Sequence, residues 1–250
     1  MTKILLHGCF GRMGKVITDI AQNDENYEIC AGVDAYSSGI ATFPVYKSIS
    51  DVKEKADVII DFSSPAALTE LLNYAKNTAT PIVLATTGFS SEQISEIKKA
   101  AEIIPIFFTF NMSLGINLLT ALSKRAAQVL GLDYDIEIIE KHHSQKLDAP
   151  SGTALMLANA VNEVYDDTMQ YEFDRHSRRM VRPKKEIGIH SVRGGTIVGE
   201  HEVIFAGKDE TISLTHTATS RDVFAVGAVK SAAFIKGKTA GIYDMNMMIN

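Results

Sequence analysis

Through its first half the chain alternates short β-rich runs with helical stretches, and that alternation restricts the fold more than any single motif does. Strands are predicted at Lys3–Leu6, Glu28–Val33, Val58–Phe62, Ile82–Ala85 and Ile106–Phe110. Helices are predicted over Lys15–Gln22, Ala66–Lys76 and Glu92–Ala101. Ser90 or Ser91 suits the cap of the last helix, and Pro65 suits the first turn of the second. Repetition of strand, helix and strand argues for a mostly parallel sheet with helices on both faces. Strands buried on both sides need no polar alternation, which accounts for runs such as "DVIIDF" and "PIVLA".

Past residue 115 the pattern changes. "GINLLTALSKRAAQVLG" reads as one amphipathic helix ended by Gly131. "YDIEIIEKHH" alternates as a half-buried strand does, and "SGTALMLANAVNEVY" is a further helix. From Glu186 to Thr217 come "EIGIHSVRG", "GTIVGEHEVIFAG" and "ETISLTHTA", which suggest antiparallel or mixed sheet in a second domain. The tail "VFAVGAVKSAAFIKGK" returns to helical spacing. A length of 250 residues with 46% hydrophobic and 22% charged content allows one large domain or two modest ones. The net charge of −5 gives no reason to expect nucleic acid or an anionic membrane as partner. Cys9 and Cys30 have no metal-like spacing, and neither a signal peptide nor a spanning segment is evident. A soluble, cytoplasmic protein is expected. The basic cluster Arg175–Lys185, broken by Pro183, reads as a solvated connecting loop rather than an anion patch.

Directly after the first strand stands "HGCFGRMG", with Gly8, Gly11 and Gly14 three apart. Unpaired N–H groups at a helix start bind pyrophosphate, and glycine lets the backbone approach it. Spacing alone leaves cofactor loop and structural turn equally open. Two features favour the cofactor: the second strand ends at Asp34, where an acid would hold the adenosine ribose, and "ATTG" (Ala85–Gly88) ends a later strand. No Arg follows Asp34 to welcome a 2′-phosphate, although Arg12 lies inside the loop, so NADH is favoured with some tolerance for NADPH. Cys9 and Met13 read as packing, and His7 as a satisfied core histidine.

"EKHHSQKLDAPSGTALMLANAV" (140–161) holds the densest chemistry. His142, His143 and Lys146 lie at a strand end, giving an acid or base near neutral pH beside a fixed positive charge. Ser151 can cap the following helix, and the N–H groups around Gly152 and Thr153 offer a second anion site. That combination suits a small dicarboxylate. A metal reading ranks low, because Asp148 is the only nearby carboxylate that could add a ligand.

These stretches, with "GCFGRMG", "DVIIDFSSP", "ATTGF", "FNMSLGIN", "SVRGGTIVGEH", "THTATSR" and "GAVKSAAFIKGK", resemble the 4-hydroxy-tetrahydrodipicolinate reductase (formerly dihydrodipicolinate reductase) family nearly end to end. The string E-x-H-H-x-x-K-x-D-A-P-S-G-T carries most of the specificity. The resemblance implies an α/β fold: a Rossmann-like nucleotide-binding domain (residues 1–112 and 222–250) plus an α+β substrate and tetramerisation domain (residues 113–221) with a mixed sheet. It implies reduction of a cyclic imine dicarboxylate in the diaminopimelate route to lysine, by a homotetramer. His142 looks like the proton donor and acceptor and Lys146 the partner proton donor, with His143, Gly152 and Thr153 holding the substrate. Cofactor positions fall on Gly8, Cys9, Phe10, Gly11, Arg12, Met13, Asp34, Ala85, Thr86, Thr87, Thr109, Phe110, Asn111 and Met112. Ser144-Gln145 stand where members often carry basic residues, which bears on affinity rather than on the reaction. Two rivals remain at this level. An aldehyde-oxidising enzyme would need a nucleophilic cysteine in the second domain, and a dinucleotide-responsive binding protein would need no acid beside a carboxylate clamp.

Overall fold

The computed structural model describes residues 1–36, 38–176 and 178–249. The strands run in chain order as β1 (Thr2–His7), β2 (Tyr27–Val33), β3 (Val45–Tyr46), β4 (Val58–Asp61), β5 (Ile82–Leu84), β6 (Pro105–Phe108), β7 (Asp135–His142), β8 (Gln170–Glu172), β9 (Glu186–Arg193), β10 (Gly199–Ala206), β11 (Thr211–Ala218) and β12 (Gly241–Tyr243). The helices are α1 (Arg12–Gln22), α2 (Leu68–Thr78), α3 (Ser91–Ala100), α4 (Leu114–Leu130), α5 (Gly152–Glu163), α6 (Asp222–Ile235) and α7 (Met245–Ile249). The chain divides into two compact units, Met1–Ser113 with Asp222–Asn250, and Leu114–Arg221.

Among the described residues the first unit carries a seven-stranded parallel sheet in the order β12-β6-β5-β4-β1-β2-β3. β1, β2, β4, β5 and β6 follow the predicted runs, whereas β3 and β12, of two and three residues, were not predicted. The strand order reverses between β1 and β4, the arrangement at which doubly wound sheets receive ligands beyond their carboxyl ends. Every residue of β4 and β5 is buried, as a sheet covered on both faces requires. α1 starts earlier than predicted, directly behind the glycine turn, and buries Gly14, Ile17 and Ala21 at helical spacing. α2 starts later than predicted, because Pro65 opens a single 3₁₀ turn over Pro65–Ala67 instead. α3 begins with a reciprocal cap: Ser90 Oγ accepts from Gln93 N–H, and Gln93 Oε1 accepts from Ser90 N–H.

In the second unit five strands lie in the order β11-β10-β7-β9-β8, with β7, β8 and β9 parallel and β10 antiparallel to both β7 and β11. The sheet is mixed, as the sequence suggests. α4 ends at Leu130, where Gly131 takes φ +62° and turns the chain. One sheet face presents Ile136, Ile138, Ile187, Ile189, Val203 and Phe205 to Leu119 of α4 and Leu157 and Val161 of α5, forming this unit's core. The opposite face of β7 carries Asp135 and Glu137. Arg182 pairs with Asp135 (3.0 Å) and Glu137 (2.9 Å), Arg175 with Glu137 (3.1 Å) and Glu186, and Arg178 with Glu172. The described residues of Arg175–Lys185 form a mostly exposed loop, as expected, which Arg175, Arg178 and Arg182 also tie to the low-exposure carboxylates Glu186 and Glu172 and to β7. Ser177, inside that segment, lies outside the described residues.

Candidate active site

Each unit carries its own cluster of candidate residues. In the first, β1 runs into Gly8, whose φ of +83° is costly for residues with a Cβ. A Cβ on Gly8 would stand 2.6 Å from the Phe62 carbonyl oxygen beyond β4, and one on Gly14 would stand 2.3 Å from the Gly8 oxygen. Both glycines therefore let backbone pack on backbone at the strand reversal. Gly11 caps α1 with no side-chain hydrogen bond, and its own N–H donates to Gly8 O at 3.1 Å. Asp34, buried just beyond β2, accepts from the Phe10 N–H at 3.0 Å and the Tyr36 N–H at 3.3 Å. The carboxylate thus lies against the glycine turn. Phe10 stacks its ring close to Gly39, Met13 is half-buried and Arg12 is exposed.

Cys9 is buried behind Gly32, and burial together with Asp34 pushes its thiol up to about 11, the state of a packing residue. His7 departs from its reading as satisfied. It is buried, yet its Nδ1 meets Asp61 Oδ1 at 3.0 Å without hydrogen-bond geometry, and that oxygen also accepts from Ser63 Oγ at 2.6 Å.

Ala85, Thr86 and Thr87 follow the carboxyl end of β5, and Thr109, Phe110, Asn111 and Met112 follow that of β6. All these stretches therefore leave the same edge of the parallel sheet as the glycine turn. Thr86 is buried with its Oγ1 lacking a hydrogen-bond partner, an orphan that a bound ligand would satisfy. With the glycine turn and Asp34, that orphan makes the set fit a dinucleotide. Phe110 is exposed, and Asn111 Oδ1 accepts from Ser113 N–H at 2.8 Å. Met112 rests its carbonyl on α6, where a Cβ on Gly227 would come within 1.7 Å of the Met112 oxygen. Gly227 was not singled out from sequence; a glycine inside a helical run is the only trace it leaves.

In the second unit, His142 ends β7 with its side chain mostly buried. Its Nδ1 lies 2.5 Å from Glu140 Oε2, two positions earlier on the same strand face. Glu140 is fully buried and held on several sides. Arg193, opposite His142 on β9, donates to Oε2 at 2.8 Å and to Oε1 at 2.6 Å, and the Ser151 N–H donates to Oε1 at 3.1 Å. Burial alone would raise the carboxyl, but Arg193, His142, Ser191 and Ser151 outweigh it and hold Glu140 down to about 2. For His142, burial outweighs the help from Glu140 and lowers the imidazole below its ordinary value.

Ser151 caps α5, its Oγ accepting from Ala154 N–H at 3.1 Å and meeting His201 Nε2 at 3.1 Å. His201 stacks edge-on to His142 with ring centres 5.1 Å apart, and burial, then His142, push it down to about 4. His216 stands opposite His201 on β11, so a row of imidazoles crosses three adjacent strands. A Cβ on Gly199 would come 3.2 Å from His142 Nε2, so glycine there keeps that nitrogen uncrowded.

His143 and Lys146 occupy the turn after β7, with Lys146 N–H donating to His143 O at 3.1 Å. His143 Nε2 lies 3.4 Å from Arg221 Nη2. Lys146 Nζ pairs with Asp148 Oδ1 at 2.8 Å, and Lys146, helped by the local backbone N–H groups of Asp148 and Gly152, outweighs burial and leaves Asp148 below the usual carboxylate range. A resident carboxylate therefore stands between Lys146 and the start of α5. Gly152 and Thr153 form that helix's first turn, and the direction of a Gly152 side chain is open space. The expected His142, Lys146, Gly152 and Thr153 thus belong to one unit and one loop–helix junction. Glu140, Arg193, His201 and His216 were given no role from sequence. Only Glu140 left a signal, as the residue two before His142 on one strand face. The sequence profiles described as dihydrodipicolinate reductase N-terminus and C-terminus match residues 2–112 and 115–249. A curated 4-hydroxy-tetrahydrodipicolinate reductase of Caldanaerobacter subterraneus is 49% identical over 100% of this chain and 98% of its own. One of Clostridium tetani is 47% identical with the same coverage. A solved dipicolinate-bound dihydrodipicolinate reductase from Paenisporosarcina sp. TG-14 superposes with TM-score 0.83 over 99% of both chains at 26% identity. The chain belongs to the dihydrodipicolinate reductase family of oxidoreductases.

Proposed function

We propose that the chain reduces 4-hydroxy-tetrahydrodipicolinate to tetrahydrodipicolinate and water with NAD(P)H, as a cytoplasmic enzyme of lysine biosynthesis through diaminopimelate. The observation that carries the reading is the pairing, in one unit, of a carboxylate-held imidazole at His142 with a cationic Lys146 near the start of α5. One substrate, one NAD(P)H and one proton give one product, one NAD(P)⁺ and one water. The nicotinamide, when bound, supplies the hydride. Gly8, Gly11 and Gly14 would receive its pyrophosphate, Asp34 its adenosine ribose, and residues 85–87 and 109–112 its nicotinamide end.

His142 delivers the proton that quenches charge developing next to the reduced carbon. Its Nδ1 is engaged by Glu140, so the delivering atom is Nε2. Lys146 keeps positive charge beside that transfer. His143 and the N–H groups of Gly152 and Thr153 hold the substrate carboxylates, as a helix start does. The dipicolinate seated in the Paenisporosarcina relative is a planar diacid of the kind this arrangement suits. NADH is preferred over NADPH, since a 2′-phosphate would meet the buried Asp34 carboxylate and no cation follows it in sequence. The chain is read as a homotetramer built on the face of the second sheet opposite its helices, where Ile139 and Ile204 stand half-buried and Val192 exposed.

NADH oxidation with freshly generated substrate tests the activity, run in parallel with NADPH. Calorimetric titration with pyridine-2,6-dicarboxylate is expected to show tighter binding once NADH is present. Independent binding of the two ligands, with no turnover, would instead mark a dinucleotide-responsive binding protein.

A further inference from the structure

The buried carboxylate of Glu140 belongs to no assigned role, yet it touches more of the second unit's site than any other side chain. It meets His142 Nδ1 through Oε2, the Ser151 N–H at the cap of α5 through Oε1, and Arg193 through both oxygens. Arg193 also donates to the Asp148 carbonyl at 2.7 Å, which ties the loop before α5 to the same guanidinium. The imidazole and the helix start that holds the substrate's carboxylates are therefore registered against one anion. We infer that Glu140, clamped by Arg193, is the positioning residue of this site: it fixes His142 with the proton on Nδ1 and Nε2 turned to the substrate, and it sustains the doubly protonated ring that donates.

The chemistry follows from what each atom can do. An ionised carboxylate only accepts, so the His142 nitrogen facing it must carry a hydrogen, in the neutral ring and in the cation alike. Nε2 is then the nitrogen that gains and loses the proton during turnover. A carboxylate so placed stabilises the imidazolium, as the third member of an acyl-transfer triad does. The charged and titratable groups facing His142 are Glu140 on its own strand, Arg193 on β9, His201 on β10 and Lys146 in the following turn. Arg193, His201 and Lys146 disfavour a second proton on the ring, and Glu140 alone favours it. Without Glu140 the ring would lose its one electrostatic support for the donating form.

Glu140→Gln separates this from a merely structural role because the amide keeps shape and size. Both Oε1 partners, Ser151 N–H and Arg193 Nη2, are donors, whereas Oε2 meets only one obligatory donor, Arg193 Nη1. The amide NH₂ therefore settles on the Oε2 side and donates to His142 Nδ1. That bond holds the proton on Nε2 and forbids a second one on Nδ1 without breaking it. The variant is expected to lose about 10²-fold or more in kcat, with KM for the diacid substrate changed by less than about threefold. The pH limb that reports the protonated acid should move to lower pH. Binding of pyridine-2,6-dicarboxylate should persist, which establishes that the variant is folded and its clamp intact.

The inference rests on the proposed reductase role of His142, so a readout independent of turnover accompanies it. Long-range ¹H–¹⁵N correlation of the histidine side chains should find the His142 hydrogen on Nδ1 in the native protein and on Nε2 in Glu140→Gln. An inactive native protein that still shows this switch would sink the reductase reading and leave the positioning role standing. An active native protein whose Glu140→Gln variant keeps kcat within about threefold, or keeps the hydrogen on Nδ1, would overturn the positioning role.

Discussion

The two units build their candidate binding features by opposite means. In the first unit the glycine turn is made of backbone: Gly8 and Gly14 matter for the atoms they lack, and the nearest groups to their absent Cβ atoms are carbonyls. In the second unit the site is made of side chains, with buried Glu140, His142 and His201 and a partly buried Arg193 holding one another through charge. A dinucleotide's pyrophosphate needs close approach to N–H groups, which only a bare turn permits. A proton donor needs a defined tautomer and a tuned acidity, which only neighbouring charges supply. The first kind of site is sensitive to an added atom; the second is sensitive to a lost charge among its buried groups.

That contrast breaks most visibly at His142. His142→Gln is expected to lower kcat by about 10²–10⁴-fold while cofactor binding stays intact, measured by steady-state kinetics and NADH titration. A loss smaller than a few-fold would mean the proton comes from elsewhere. Next comes the imidazole row behind it. His201, buried and held down to about 4 against an ordinary 6.5, binds a proton more readily in the unfolded chain. The unfolded state thus takes up protons first, so the stability His201 contributes is complete above about pH 6.5 and is lost as pH falls toward about 4. The ceiling on that loss is on the order of 3 kcal/mol. His201→Gln should flatten this part of the stability–pH curve, read by urea unfolding between the two limits; an unchanged slope would remove His201 from the account.

The backbone-built site is tested by Gly14→Ala. In an open helix that change would be favourable, but here the methyl would sit 2.3 Å from a carbonyl oxygen. We expect a stability loss of about 1–3 kcal/mol and a rise in cofactor KM of about tenfold, with the diacid's KM unaffected. Equal damage to both KM values would show that the two halves are less independent than their construction suggests. The smallest effect is predicted at Asp148→Asn. The Asp148 carboxylate is largely exposed, so its pair with Lys146 is worth about 0–1 kcal/mol. Its removal frees Lys146 and the start of α5, and should tighten pyridine-2,6-dicarboxylate binding by a few-fold at most. Weaker binding in that variant would instead make Asp148 a supporting member of the clamp.

Local chemistry explains why some features were legible in advance. Ser90 with Gln93 and Ser151 before α5 are caps whose partners lie within three residues, so their roles follow from spacing. The parallel first sheet followed from uninterrupted apolar runs, and the mixed second sheet from alternating ones bounded by glycine. Pro65 was assigned to the correct helix start, yet the turn it opens is 3₁₀ and delays α2. The basic stretch is the exposed loop its composition suggests, but its ion pairs were not legible because the partners Asp135, Glu137 and Glu186 lie on strands whose register the stretch itself does not encode.

By itself, then, the sequence determined the order of the main strands and helices, the glycine turn, the acid Asp34 at the end of the second strand, and the His142–Lys146–Gly152 cluster, since each depends on neighbours close along the chain. Only the tertiary structure decided which nitrogen of His142 is engaged, that Arg193 from another strand clamps Glu140, and that Thr86 keeps an orphaned hydroxyl at the sheet edge. The Glu140–Arg193 clamp depends on strand pairing across some fifty residues of chain. Charge and burial act through space, and spacing along a sequence carries no record of which distant residues will share it.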